Sequence, residues 1–148
     1  MSAELVESLV PAVVDASMVI KWLLDEPGSG AARTQRHAWD AHGIVPAAPD
    51  FLLIELHSIL LKKLARREIA LDLPWLSQTP TFGIDLSWFP FEPLLPLAWR
   101  LALHHQISID DALYAALAQS LGVALYTADT RLAERLTGSL NVKTLALT

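Results

Sequence analysis

Residues Ala12 to Leu24 read AVVDASMVIKWLL, in which a short apolar run ends in an acid and a helical pattern follows at once. The run from Ala12 to Asp15 is typical of a buried strand, and Ser17 to Leu24 is typical of a helix that the Pro27-Gly28 pair stops. A strand that leads directly into a helix is the first half of a βαβ unit, and such units build parallel sheets. The segment therefore predicts an α/β fold with Asp15 at the carboxyl end of a strand.

The same alternation continues along the chain. Further strands are predicted at Ile44 to Ala47, around Leu86 to Phe89, at Val123 to Tyr126 and at Val142 to Leu145. Further helices are predicted at Gly30 to His42, from Pro49 and Asp50 to Ile69, at Leu97 to His105, at Ser108 to Leu121 and at Thr130 to Leu136. A short helix is also expected before the strand in the irregular segment Leu71 to Pro96. We expect one domain over residues 1–148, a three-layer α/β/α sandwich with a mainly parallel central sheet.

The composition excludes several classes of protein. Hydrophobic residues make up 53% of the 148 residues, which supplies a buried core, and cysteine is absent, which excludes disulfides and thiolate metal ligands. The net charge of −5 argues against a protein that coats nucleic acid by bulk attraction. Met1 to Pro11 carries acids and no Lys or Arg, and no apolar stretch is long enough to cross a bilayer. We expect a cytoplasmic protein with no membrane partner.

Asp15 and Glu55 are the first two candidate site residues. Asp15 follows a predicted strand, where open α/β sheets bind ligands, although an aspartate there could simply cap the next helix. Glu55 shares a helix face with Phe51, Leu52 and Ile59, where an unpaired carboxylate would be costly to bury. It therefore needs a cation or a proton, and the alternative is a core acid paired with Lys or Arg.

Two acids open the helix that follows Ser108. Ser108 with Asp111 at the fourth position fits a capping box, so one of the two carboxylates could have a structural role. Asp111 shares its helix face with Ala115 and Ala118, whose small side chains let a ligand approach. Asp111 is therefore the better site candidate of the pair.

Asp129 lies in the turn that follows the strand at Val123 to Tyr126, and its alternative role is again a helix cap. The four acids come from separate segments yet are all predicted at one edge of the sheet. So much negative charge repels itself unless divalent cations intervene. Carboxylates and water suit Mg²⁺ or Mn²⁺ rather than zinc, for which no paired His or Cys spacing is present. The predicted metal ligands are Asp15, Glu55, Asp111 and Asp129.

Four segments carry these acids in a recognisable order. They are VVDASMVIKW (Val13 to Trp22), PDFLLIELHSILLKKLARR (Pro49 to Arg67), ISIDDALYAALAQSLG (Ile107 to Gly122) and LYTADTRL (Leu125 to Leu132). Together, over Val13 to about Leu145, they resemble the PIN-domain ribonucleases, specifically the toxin component of VapBC-type toxin–antitoxin pairs.

The resemblance implies roles for individual residues. It places the family's catalytic, metal-binding acids at the four positions named above and its supporting hydroxyls at Ser17 and Thr127. The chain departs from the family pattern at Asp110, where a tyrosine is frequent, and at Ser58, where an asparagine is frequent. Neither departure removes a ligand, although Asp110 could alter the metal affinity.

The resemblance also implies a PIN-like fold and an activity. It indicates a Mg²⁺- or Mn²⁺-dependent endoribonuclease, a toxin that hydrolyses RNA phosphodiesters by metal-activated water and leaves 5′-phosphate ends. The implied partners are the RNA substrate, a second copy of the chain in a homodimer, and a cognate antitoxin that covers the acidic pocket.

Two other functions stay open at this point. The first is a catalytically silent PIN-like domain that binds metal and works through a protein partner. The second is a phosphatase with Asp15 as nucleophile, which would want a second acid at Ser17.

The route by which RNA reaches an acidic pocket is a separate question. A strip of basic residues could track the RNA backbone, or the same residues could form a solvated helix end. They are Arg33, Arg36, Lys62, Lys63, Arg66 and Arg67.

Overall fold

Five short parallel strands form the centre of the molecule in a computed structural model that describes residues 12–70 and 78–145. Their order in the sheet is β3-β2-β1-β4-β5, and every neighbouring pair is parallel. The strands are β1 (Ala12–Val14), β2 (Ala47–Pro49), β3 (Ser87–Phe89), β4 (Ala124–Thr127) and β5 (Val142–Thr144).

Helices cover both faces of this sheet. In chain order they are α1 (Ala16–Leu23), α2 (Ser29–Ala41), α3 (Phe51–Ala65), a 3₁₀ turn (Glu92–Leu94), α4 (Leu95–His105), α5 (Ile109–Leu121) and α6 (Thr130–Leu136). α1 packs against α2 and α3, and α4 packs against α5. Right-handed crossovers place α1 to α3 on one face and α4 to α6 on the other. The predicted three-layer α/β/α sandwich is confirmed.

Small residues bring the layers close together at the centre. The whole of β1 and the pair Ala47 and Ala48 are fully buried. α5 lies across β1, β2 and β4, and each residue from 112 to 118 of this helix is buried, four of them alanines. Alanine excludes little volume, so the helix axis approaches the sheet and its first turn is held firmly at the sheet edge.

The prediction for the second strand is wrong in position. Ile44 and Val45 are only half-buried, and the ladder with β1 begins at Ala47, which pairs with Val13. Burial under helices on both faces selects the small Ala47 and Ala48 for the strand, although Ile and Val have the higher strand propensity. Pro49 ends this strand instead of opening the next helix.

The basic end of α3 also differs from the prediction. The helix ends at Ala65 rather than Ile69, because Arg67 adopts a left-handed conformation with a φ of 59°. The remaining predicted strands and helices have boundaries within two residues of those observed. Residues 71–77 of the segment in which a short helix was expected lie outside the described residues. No helix of the described chain is long and apolar enough to cross a membrane.

The strand order creates a switch point between β1 and β4. From β1 the chain builds outward to β2 and β3, and it then returns to the other side of β1 to add β4 and β5. The loops that leave β1 and β4 therefore diverge to opposite faces and leave a crevice at the carboxyl edge. Open α/β sheets bind their ligands in such crevices.

The Asp15 side chain ties the two strands of the switch point together. It directly follows β1, only 4% of it is exposed, and it accepts a hydrogen bond from the Thr127 hydroxyl at the end of β4. It also accepts bonds from the Ser17 hydroxyl at 2.6 Å and the Met18 amide at 3.0 Å. The Ala128 amide in turn donates to the Ser17 oxygen at 2.9 Å. A buried carboxylate is tolerated here because its oxygens have donors.

We predict that Thr127→Val destabilises the fold. Valine keeps the shape of this fully buried side chain but removes the donor to Asp15, which should cost about 1 to 3 kcal/mol of unfolding free energy. Thr127→Ser keeps the hydroxyl and is the matched control in urea unfolding at neutral pH. Equal stability of the valine and serine variants would show that the hydrogen bond from Thr127 to Asp15 does not stabilise the fold.

Candidate metal centre

The four acids predicted from the sequence line one pocket. It has a volume of about 160 Å³, lies at the carboxyl edge of the sheet, and is also lined by Ser17, Ile59 and Tyr114. Each acid comes from a different place in the fold: the end of β1, the second turn of α3, the first turn of α5, and the turn after β4. In that order they are Asp15, Glu55, Asp111 and Asp129.

The helix caps proposed as alternatives are also present. Asp15 caps α1 by accepting from Met18, and Asp129 caps α6 by accepting from the amides of Arg131 and Leu132. Both acids thus have a structural role, but that role does not remove them from the pocket. In a cap the carboxylate is fixed by the helix N-terminus, which also stabilises its negative charge.

Asp111 is placed differently from these two. Ser108 caps α5 by accepting from the Asp111 amide at 3.1 Å, so the backbone of Asp111 completes the cap. Its half-buried carboxylate lines the pocket, and an interaction with the Ser108 side chain partly opposes the rise in its pKa. Asp110, by contrast, is exposed and does not line the pocket.

Lys and Arg do not neutralise these acids. The ion pairs of the described chain involve Asp25, Glu26 and Glu68, and none reaches the four pocket acids. Glu55 instead accepts a hydrogen bond of 2.6 Å from the Tyr114 hydroxyl. The alternative role for Glu55, a core acid paired with Lys or Arg, is therefore not observed.

Tyr114 is the pocket residue that the sequence reasoning missed. It is fully buried on α5, and burial raises the pKa of its phenol far above the usual range, so the hydroxyl stays protonated and donates. It lies three residues after Asp111, on the same side of the helix. That spacing was the available signal, and it was hidden because a tyrosine in an apolar helix usually only fills the core.

Burial and crowding of like charges raise the proton affinity of the site. Burial raises the pKa of Asp15 to about 6, although its hydrogen bonds oppose the shift and the charge of Asp111 adds to it. Burial raises the pKa of Glu55 to about 7, with added repulsion from Asp110, Asp111 and Asp15. The pKa of Asp111 is also raised, by burial and then by the charge of Asp129. A cation that binds near these carboxylates therefore stabilises their charged forms.

The chemistry of this donor set fits a hydrated divalent ion. In the described part of the chain, no three acidic or histidine side chains are grouped closely enough to enclose one metal ion. Mg²⁺ seldom needs such an enclosure, because it keeps several waters and binds one or two protein carboxylates. The pocket supplies carboxylates on opposite walls with no competing cation. The role of each acid as a ligand remains a prediction.

The predicted basic strip does not lie at this pocket. Lys63 pairs with Glu26 and Glu68, Arg33 pairs with Asp25, and Arg36 stacks on the Trp22 ring with its guanidinium carbon 5.2 Å from the ring centroid. α3 runs away from the carboxyl edge of the sheet, so its basic end lies roughly 10 to 16 Å beyond Glu55 along the axis. The solvated helix end is the interpretation that the structure favours.

We predict that Glu55→Gln makes stability less dependent on pH. The raised pKa means that folded Glu55 binds its proton more tightly than the unfolded chain does. Unfolding therefore releases protons, and the free energy of unfolding falls as the pH rises from about 4.5 to about 7. At pH 8 without metal, the free energy of unfolding of Glu55→Gln should be roughly 1 to 3 kcal/mol higher than that of the wild type.

The measurement is urea unfolding at pH 5 and pH 8 in the presence of a chelator. Glu92→Gln, at an exposed glutamate, is the matched control and should follow the wild type at both pH values. An equal change with pH in Glu55→Gln and the wild type would show that Glu55 is not strained by burial.

Comparisons with known proteins agree with this geometry. The model of the PIN domain family matches residues 12–136. Ribonuclease VapC12 of Mycobacterium tuberculosis, from strains CDC 1551 / Oshkosh and ATCC 25618 / H37Rv, is 28% identical over 123 residues, which cover 82% of this chain and 89% of the relative.

Two solved structures share the fold. PAE2754 from Pyrobaculum aerophilum has a TM-score of 0.65 at 23% identity and covers 90% of this chain and 83% of its own. A toxin–antitoxin complex from Klebsiella pneumoniae has a TM-score of 0.65 at 15% identity, with coverage of 93% and 99%. The family match includes all four pocket acids and confirms the resemblance inferred from the four sequence segments, and the chain belongs to the PIN domain family.

Proposed function

We propose that this protein is a divalent-metal-dependent endoribonuclease, the VapC-type toxin of a toxin–antitoxin pair. One observation carries the proposal. Carboxylates from four separate segments line one pocket at the switch point of the sheet, and none is neutralised by a described Lys or Arg. Four carboxylates gathered without a cation repel one another, so a cationic ligand is the physical reason for the arrangement.

The comparisons support the choice of reaction. The chain belongs to the PIN domain family, and the relatives of similar length are named ribonucleases of the VapC type. Among the structures that share the fold is a toxin–antitoxin complex. These names supply the substrate class, RNA, which the pocket alone does not specify.

We propose Mg²⁺ or Mn²⁺ as the metal, a hydrated ion bound in the pocket by one or two at a time of the carboxylates of Asp15, Glu55, Asp111 and Asp129. When bound, the metal lowers the pKa of water and stabilises the charge on a phosphate oxygen and on the leaving oxygen. No side chain needs to act as a nucleophile in this scheme, and the chain has no cysteine.

The residues of the chain have separate tasks in this scheme. Ser17, Thr127 and the Met18 amide fix both oxygens of Asp15, so that its orientation does not change when a cation arrives. Tyr114 holds one oxygen of Glu55, while the other has no hydrogen-bond partner among the described residues. With a pKa of about 7, Glu55 exchanges its proton near neutral pH.

The two alternative functions have less support. A phosphatase would need Asp15 as a free nucleophile, but both of its oxygens already accept hydrogen bonds, and Ser17 supplies a hydroxyl where a second acid would be needed. The intact set of four acids argues against a silent binding domain. Such a domain differs from the nuclease in one respect that can be measured, since it would not cleave RNA.

We also propose the assembly that the resemblance implies, a cytoplasmic homodimer silenced by an antitoxin. Its support is the toxin–antitoxin complex among the structures with this fold, together with large apolar side chains on the surface. Ile54, Leu61, Trp99 and Leu103 are each more than 60% exposed on the outer sides of α3 and α4. Exposed apolar surface of this kind is typical of protein interfaces.

We predict that the purified protein cleaves single-stranded RNA when Mg²⁺ or Mn²⁺ is added and stops when a chelator removes the ion. Asp15→Asn and Asp111→Asn should each lower the cleavage rate by at least about 100-fold, because each removes charge that stabilises the transition state through the metal. Gel analysis of end-labelled RNA gives the rate, and the sensitivity of the products to phosphatase tests for 5′-phosphate ends.

Asp40→Asn is the matched control for these variants. Asp40 is exposed near the end of α2, which leads toward the amino end of β2, at the opposite edge of the sheet. The Asp40→Asn variant should therefore cleave RNA like the wild type. Equal cleavage by all variants would indicate a contaminating nuclease, and no cleavage by the wild type with either metal would favour the silent binding domain.

A further inference from the structure

A second cavity adjoins the acidic pocket and has a different character. It has a volume of about 240 Å³ and lies between the end of α4, the start of α5 and α6. Asp111 and Asp129 line both cavities, so the second is a continuation of the first. Its outer wall is basic, because Arg131 and Arg135 also line it. A molecule that lies over the acids and extends in this direction meets two guanidinium groups.

Arg131 is free to bind a ligand. It is exposed, and its guanidinium makes no ion pair or hydrogen bond with any described residue, although Asp129 is only two positions away. Its backbone is nevertheless fixed, because its amide donates to the Asp129 carboxylate at 3.0 Å in the cap of α6. The side chain thus projects from a rigid helix start with all five of its donors unused.

Arg135 is held in place one turn further along α6. One of its guanidinium nitrogens donates to the carbonyl of Gln106, the residue that ends α4 in a left-handed conformation. The carbonyl of Arg135 lies 2.9 Å from the His105 ring nitrogen. These bonds join α6 to the end of α4 and fix the guanidinium at the cavity. The other nitrogens of Arg135 have no partner among the described residues.

We propose that Arg131, with Arg135 beside it, binds a non-scissile phosphate of a single-stranded RNA whose scissile phosphodiester lies over the acidic pocket. The inference rests on the proposed nuclease function. An acidic pocket repels a polyanion, and the net charge of −5 adds to that repulsion. Arginine at the rim offsets the repulsion and binds phosphate through paired N–H donors.

The site also defines the path of the RNA over the protein surface. RNA that crosses from the acids toward Arg131 passes the start of α5 and lies along α6, rather than along the basic end of α3. The two routes use cations at opposite edges of the sheet, so a single charge removed from each distinguishes them.

The test uses binding rather than cleavage. The parent protein is Asp111→Asn, which leaves the buried hydrogen bonds of Asp15 intact and, under the proposed function, does not degrade its ligand. Fluorescence anisotropy with a labelled single-stranded RNA is measured at fixed Mg²⁺ and increasing KCl. Arg131→Gln, Arg131→Lys and Lys62→Gln are then added to this parent one at a time.

Arg131→Gln should weaken binding about tenfold at low salt, which corresponds to the loss of one charge-assisted contact. It should also reduce the slope of log K against log salt by about 0.7, the value for one phosphate contact with a single strand. Arg131→Lys should keep the slope and lose only part of the affinity. Lys62→Gln, on the basic end of α3, should change neither quantity. Thermal unfolding checks that Arg131→Gln remains folded.

The outcomes distinguish failure of the proposed phosphate site from failure of the proposed nuclease function. If wild-type protein cleaves RNA but Arg131→Gln binds like the parent, or Lys62→Gln alone reduces the slope, the phosphate site is wrong and the proposed function stands. Cleavage by the wild type without salt-dependent binding by the parent also overturns the site. If the wild type does not cleave and the parent does not bind, both proposals fall together.

Discussion

The buried carboxylate of Asp15 is the constraint on which the rest of the structure depends. It ends β1, caps α1 and accepts from the Thr127 hydroxyl at the end of β4, so one side chain connects the strands that flank the switch point. Burying it is tolerable only because three donors surround its oxygens. The same bonds fix the carboxylate at the floor of the pocket. Fold stability and site geometry therefore come from one set of contacts.

The other three acids line the same pocket, and no described Lys or Arg pairs with their negative charges. Helices on both faces of the sheet bring Glu55 and Asp111 toward Asp15, and the charge of Asp111 raises the proton affinity of the other two. The protein thus carries an electrostatic cost that a cation would relieve. The basic residues are arranged differently, because Arg131 and Arg135 line a continuation of the pocket but do not pair with its acids. Such a separation suits a polyanionic ligand that meets metal at one phosphate and arginine at another.

Much of this arrangement could be predicted from the sequence. Parallel strands that end in acids predict convergence at one sheet edge, because chain direction and right-handed crossovers leave few other arrangements. The alternative roles were more difficult to judge. Asp15 and Asp129 do cap helices, so the cap and the site were never exclusive. Sequence patterns cannot separate two roles that require the same position and the same backbone.

The errors have physical causes as well. The second strand was predicted at the β-branched Ile44 and Val45, whereas dense packing under α5 selects two alanines. Tyr114 was missed because its bond to Glu55 joins residues 59 positions apart, which no local pattern reveals. The basic residues left two interpretations open, an RNA-binding strip or a solvated helix end, and the direction of α3 carries those cations away from the pocket.

Locating the metal tests most directly whether the four acids form a cation site. A crystal of the protein grown or soaked with Mn²⁺ and measured at the manganese absorption edge gives an anomalous peak wherever the ion is bound. We expect a peak within the pocket, in contact with the carboxylate of Asp15 or Asp111, and its loss in Asp111→Asn. A fully occupied peak elsewhere, with the pocket empty and its acids turned toward Lys or Arg, would contradict this expectation.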